Sequence, residues 1–287
     1  MTEFPARRPL RFASALTGVS LAALALAGCD GGTAVGSLRG PAVAEVEAPD
    51  ANASVNIQSL SEVVQRNPGD SGALNTRGAA YARIGRYQEA IADFTKAIQI
   101  DPGSVSALTN RALAYRQINR NDAALADFNR AIEANPNHAP AWLGRANLLR
   151  AQGNLQQAMT DLDRAIRLNP ENAQAFHSRG LIRQREGDHA RAVSDFDNAI
   201  DRDPFASAPY LARAQSLTEL GKYDAAIEDF NAALNVDNRN PDGWAGLGLA
   251  YERKGDRQKA VENYNRANVL DPGNTVARAG LGRVGRG

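Results

Sequence analysis

Residues Ser71–Ser104 read SGALNTRGAAYARIGRYQEAIADFTKAIQIDPGS, and the chain writes this unit six times in 34-residue steps, through residue 274. Its fixed points are Gly78, Tyr81, Gly85, Ala90, Phe94, Ala97 and Pro102. The Ala90 column continues as Ala124, Ala158, Ala192, Ala226 and Ala260, and the Ala97 column as Ala131, Ala165, Ala199, Ala233 and Ala267. Phe94 returns as Phe128, Leu162, Phe196, Phe230 and Tyr264, always large and apolar. Pro102 returns as Pro136, Pro170 and Pro204, lapses at Asn238, and is restored at Pro272. A strict period of this length marks an array in which each unit buries its apolar face only against its neighbours.

Within the unit, Leu74, Gly78 and Tyr81 fall at helical spacing, as do Ala90, Phe94, Ala97 and Ile98. Gly85 divides the two runs and permits a left-handed turn; only Asn119 replaces glycine in that column. Pro102 lacks an amide donor and biases Asp101 away from helical angles, so the second helix stops there. The alanines let two helix backbones approach closely, and Phe94 fills the space beside them.

These residues and the 34-residue period resemble the tetratricopeptide repeat, a helix–turn–helix family, over residues 71–274. The resemblance implies an all-α fold, a right-handed α-solenoid of six repeats (71–104, 105–138, 139–172, 173–206, 207–240 and 241–274). The family's tyrosine holds at Tyr81, Tyr115 and Tyr251 but is Leu149, Arg183 and Leu217 elsewhere, departures expected to loosen local packing.

A second pattern concerns charge. Arg77, Arg111, Arg145, Arg179 and Arg213 precede the Gly78 column, and Asp93, Asp127, Asp161, Asp195 and Asp229 precede the Phe94 column. Both lapse together in the last unit, at Leu247 and Asn263. Their joint disappearance predicts an Arg–Asp pair in each unit, formed within it or between neighbours, serving the stack rather than a ligand.

The first 28 residues read as a signal peptide: Arg7, Arg8 and Arg11, then an apolar run from Ala13 to Ala27 too short to span a membrane comfortably. Leu26-Ala27-Gly28-Cys29 resembles the lipobox of bacterial lipoproteins, which implies cleavage before Cys29 and lipid attachment to its thiol. The alternative is ordinary cleavage after Ala27. Residues 29–53 are rich in Gly, Ala, Pro and acid without helical period and read as a flexible linker, spanning roughly 25–30 Å. Residues 54–70 are expected to form an N-terminal capping helix (Ile57 to Asn67), and 275–287 a C-terminal capping helix and tail.

Removing residues 1–28 leaves 30 basic and 31 acidic side chains, a balance without the basic face that nucleic acid requires. The histidines, His138, His177 and His189, have no metal-ligand spacing, and no nucleophile motif or phosphate-cradling loop appears. The expectation is a chain without catalytic residues, metal, cofactor or small-molecule substrate. Function then falls to the groove that first helices line in this family, and the resemblance assigns its positions. Leu113, Leu143, Leu181 and Leu211 would bury an apolar anchor; Asn75, Asn147 and Gln215 would pair with peptide backbone. Arg83, Arg116, Arg150 and Arg185 would meet acid, His177 is a further groove position, and acids collect at the far end. The Lys–Asn clamp of eukaryotic chaperone-binding arrays is absent, since Asn75 and Ala79 stand there. The expected partner is a protein or peptide segment, extended or helical and apolar on one side. The expected setting is the periplasm of a bacterial envelope, with the lipid in the outer or inner membrane. A scaffold of envelope assembly or of peptidoglycan enzymes is the first reading; a pilotin-like chaperone for a secretion or pilus system is the alternative, and an envelope enzyme or sugar-binding protein ranks third.

Overall fold

The computed structural model describes residues 51–285, all of whose regular structure is helical. The signal peptide, Cys29 and most of the linker lie outside the described residues. The first helix, α1 (Ala51–Arg66), begins earlier than expected and takes in Ala51, Asn52 and Ala53, which composition reads as linker. Two alanines, the strongest helix formers, extend a helix that Ile57 and Val64 anchor in the stack.

Six helix pairs follow: α2 (Ser71–Arg83) with α3 (Tyr87–Ile100), α4 (Val105–Gln117) with α5 (Asn121–Ala134), and α6 (Ala139–Ala151) with α7 (Leu155–Leu168). Then come α8 (Ala173–Arg185) with α9 (His189–Arg202), α10 (Ser207–Glu219) with α11 (Tyr223–Val236), and α12 (Pro241–Lys254) with α13 (Arg257–Leu270). Helix α14 (Thr275–Val284) packs on α12 and α13. The result is an α-solenoid.

The turn between paired helices is left-handed where the pattern requires it: Gly85, Gly153, Gly187, Gly221 and Gly255 have φ of 73–91°, and Asn119 adopts 58° in the same place. The turn between pairs has its own device. The residue before each proline position, from Asp101 through Asp271, is always Asp or Asn, and its side chain accepts the amide two residues on, as Gly103 N does to Asp101 Oδ1 at 3.1 Å. Such Asx turns mimic a backbone turn and end the helix cleanly.

The core runs between the two helices of every pair. All the column alanines are at most 2% exposed, and Phe94, Phe128, Leu162, Phe196 and Tyr264 are fully buried. Glycine at position 78 is a matter of contact: a Cβ there would lie 2.6 Å from the Phe94 ring. At the departures from tyrosine, Leu149 and Leu217 are buried in the core clusters, and Arg183 forms an ion pair with Asp195 at 2.8 Å.

The Arg–Asp pairs form within each unit, across its two helices. Arg145 Nε and Nη2 donate to Asp161 Oδ2 and Oδ1 at 2.7 and 2.8 Å, and the same two-pronged contact joins Arg77 to Asp93, Arg111 to Asp127 and Arg213 to Asp229. The remaining guanidinium nitrogen, Nη1, reaches back to the preceding unit, to Thr95 from Arg111, Asn129 from Arg145, Asp163 from Arg179 and Asp197 from Arg213, at 2.7–3.0 Å. One arginine thus ties its own pair and latches it to its neighbour.

Candidate functional site

Curvature follows from which helices touch. The first helices α2, α4, α6, α8, α10 and α12 contact one another in succession, whereas among the described residues the second helices do not. The first helices therefore line the inner face of the bend. Their outward-facing residues are committed to the Arg–Asp lattice, and the inner residues form the candidate site.

The leucines divide. Leu113, Leu181 and Leu211 are half-buried against the core and leave part of each side chain on the inner face. Leu143 is instead 8% exposed, packed with Leu149, Leu162 and Ile182, and is a core residue rather than an anchor for a ligand. The amides also divide. Asn147 is 6% exposed and accepts from Ser178 Oγ at 2.9 Å, and Asn75 accepts from Asn110 Nδ2 at 3.0 Å, so both join neighbouring repeats. Gln184 does the same, donating to Ala212 O and Ser216 Oγ. Of the predicted amides only Gln215 is exposed on the inner face. A polar group this close to the stack finds a partner there first, because an unpaired one is costly to bury.

The arginines behave differently. Arg83 and Arg185 are exposed at the edge, while Arg116 and Arg150 are partly buried. None of the four has an ion pair or hydrogen bond among the described residues, in contrast to the lattice arginines beside them. Burial, then the charge of Arg150, holds the Arg116 guanidinium below its ordinary pKa, and burial, then Arg185, does the same to Arg150. Both remain cations, as arginine does in proteins. His177 joins them: burial, then Arg150, lowers its imidazole to about 4, so it is neutral near pH 7. Its Nδ1 and the Nε of Arg150 are buried without a hydrogen-bond partner. Its ring lies 5.7 Å from that of Phe196.

Two cavities open further along. One, of about 350 Å3, is lined by Gln184, His189, Gln215, Glu219, Asp242 and Leu249 among others. A second, of about 590 Å3, is lined by Leu249, Glu252, Arg253, Val276, Ala279 and Arg283, and shares Leu249 and Val276 with the first. Glu252 accepts from Arg283 at 2.7 and 2.8 Å and from the Tyr264 hydroxyl, which holds its carboxyl below the usual range. The sequence pattern did not single out His189, Phe230 or the α14 wall. His189 sits off the first-helix positions, Phe230 belongs to a core column, and α14 lies beyond the last full unit.

Among the described residues no group of three or more His, Cys, Asp or Glu is placed to hold a metal, and no helix is long and apolar enough to cross a membrane.

Family models described as tetratricopeptide repeat match residues 72–104, 109–173, 143–207, 177–234 and 241–274, and one described as TPR repeat matches 214–255. No curated protein matches the sequence. Among solved structures, the Cut9 and Hcn1 heterotetramer of APC/C is similar at TM-score 0.71 and 19% identity, covering 82% of this chain but 46% of that one. The chain therefore spans less than half the length of that relative. YrrB, titled a TPR protein with an unusual peptide-binding site, is similar at TM-score 0.57 and 24% identity, over 65% of this chain and 96% of that one. PilW, titled a widely conserved type IV pilus biogenesis factor, is similar at TM-score 0.63 and 18% identity, over 81% of this chain and all of that one. At these identities the likeness is one of fold.

Proposed function

Since the chain belongs to the tetratricopeptide repeat family, a fold of interaction scaffolds that is typically non-catalytic, we propose that it is an adaptor that grips a segment of a partner protein in its inner groove. The observation that carries this reading is the pair of partly buried cations, Arg116 and Arg150, left without counterions on the inner face, while the lattice arginines beside them are all paired. A protein stack does not keep such charges for stability, because desolvating an unpaired charge opposes folding. A bound carboxylate would reverse that cost. Half-buried Leu113, Leu181 and Leu211 add apolar surface beside the cations, a pairing suited to a segment with acid and aliphatic side chains.

In this reading the chain is exported and anchored by lipid on Cys29, and it works at a bacterial envelope, on assembly or on peptidoglycan enzymes, without catalysing a reaction itself. A photoreactive residue at Leu181 or Leu211 should crosslink one partner in cells, while the same residue at exposed Lys96 on α3 should not. Equal adducts from both faces would remove the groove as the working surface. Cys29→Ala should release the chain from the membrane fraction; unchanged sedimentation would remove the lipid anchor.

A second reading, a chaperone for a pilus subunit, draws on the fold shared with PilW. A pilin or secretin as the crosslinked partner would select it over the first.

A further inference from the structure

The inner face changes sign along its length. Helices α2, α4, α6 and α8 contain no Asp or Glu at all, and the arginines they direct inward have no counterion among the described residues. Arg150 acts on both Arg116 and His177, and Arg185 acts on Arg150, so the cluster is a run of like charge. Two buried nitrogens of this cluster, Arg150 Nε and His177 Nδ1, have no hydrogen-bond partner. Guanidinium groups in this state bind carboxylates strongly, since the planar fork matches the carboxylate and the desolvation has already occurred.

Beyond α8 the pattern inverts. Glu219, the last residue of α10, and Asp242, in the first turn of α12, stand at the cavity of about 350 Å3. Its floor is apolar, made by Phe230, Leu249 and Val276. The Phe230 ring packs directly on Gly246, where a Cβ would sit 2.4 Å from it, so this part of the floor is closed core. The His189 Nδ1, also buried without a partner, belongs to the same cavity. A lysine or arginine suits this shape, with an aliphatic stem for the floor and a charged head for the rim.

We propose that the groove takes a partner segment whose charges are segregated along its length. Carboxylates seat on Arg116, Arg150 and His177, and a lysine or arginine enters the cavity, its stem against Leu249 and Val276 and its head at Glu219 and Asp242. The proposal rests on the groove being the partner surface. It adds that the groove reads the order of charges rather than their sum. A segment acidic throughout is repelled at α10 and α12, and one basic throughout is repelled from α4 to α8.

The test uses the purified chain and labelled synthetic peptides, each carrying a benzophenone at its centre. One has an acidic half and a lysine-bearing apolar half; a second has the same composition with charges alternating; a third replaces the lysines with glutamate. The segregated peptide should bind about tenfold or more tightly than either of the others. Arg150→Gln and Glu219→Lys should each weaken it about tenfold, with Arg150→Lys recovering part of the loss. Glu219→Lys should also strengthen the all-acid peptide. Neither side chain has a partner in the stack, so thermal unfolding should show these variants folded. Equal affinity for the segregated and alternating peptides overturns the proposal, and so does indifference to both substitutions. Crosslinks near Leu181 and Leu211 in that case would leave the adaptor reading standing. Absence of groove crosslinks from every peptide would overturn that reading as well.

Discussion

Asp161 shows what one residue does in this array. Its side chain is 2% exposed, yet both oxygens accept from Arg145, which is itself 14% exposed. Removing one member strands the other, so Asp161→Ala should cost about 3 kcal/mol in denaturant unfolding. The last unit supplies its own control, since Leu247 and Asn263 occupy the two places and Leu247 is 2% exposed. The double change Arg145→Leu with Asp161→Asn should therefore restore more than half of that loss. A double variant as unstable as the single one would mean that the pair itself supplies the stability. His177 gives a second prediction at this scale. Its folded pKa, about 4, lies below the ordinary value of 6.5, so the unfolded chain binds the proton more readily. Its contribution to stability is full above pH 6.5 and is lost as the pH falls from there towards 4, by up to about 3 kcal/mol. The same column holds Leu143 and Leu211, so His177→Leu should fold and show a flatter stability profile between pH 6.5 and 4 than the parent. Parallel profiles would show that the imidazole is not buried in neutral form.

At the scale of the helix pair, geometry is set by small residues in two distinct ways. Gly144 is a packing residue: a Cβ would lie 2.4 Å from the Phe128 ring, and Gly144→Ala should cost about 1–3 kcal/mol by thermal or denaturant unfolding. Asn119 is a conformational one, with φ of 58° where every other unit has glycine. Asn119→Gly should raise stability by roughly 0.5 kcal/mol, because the left-handed region carries no Cβ penalty for glycine. Much of this scale was legible beforehand. The period located every helix pair, and the paired loss of Arg and Asp at Leu247 and Asn263 announced the lattice. The inner face was legible only in outline. Leu143 and Asn147 occupy the same ruler positions as Leu211 and Gln215, and the sequence offers no sign that the first two are buried and the second two partly or fully exposed. Depth at those positions depends on the side chain facing across from the next unit, as Ser178 faces Asn147. A periodic pattern averages over such neighbours and so conceals them.

At the scale of the whole array, the back-reaching Nη1 bonds set how the repeats are joined. Arg111, Arg145, Arg179 and Arg213 each fasten their unit to the one before, whereas Leu247 can make no such bond. Hydrogen bonds to a planar cation hold a narrow range of angles, while apolar contact holds none in particular. The last joint, beneath the smaller cavity, lacks that bond and has the exposed Lys254–Asp224 pair in its place, so it should be the most compliant of the five. Spin labels on α4 and α8 should give a narrow distance distribution, and labels on α10 and α12 a broader one that sharpens when a ligand fills the cavity. Equal widths would show that packing alone locks every joint. A machine built this way would keep a stiff jaw of fixed pitch at its cationic end and a compliant one at its acidic end, closing on its load from one side only.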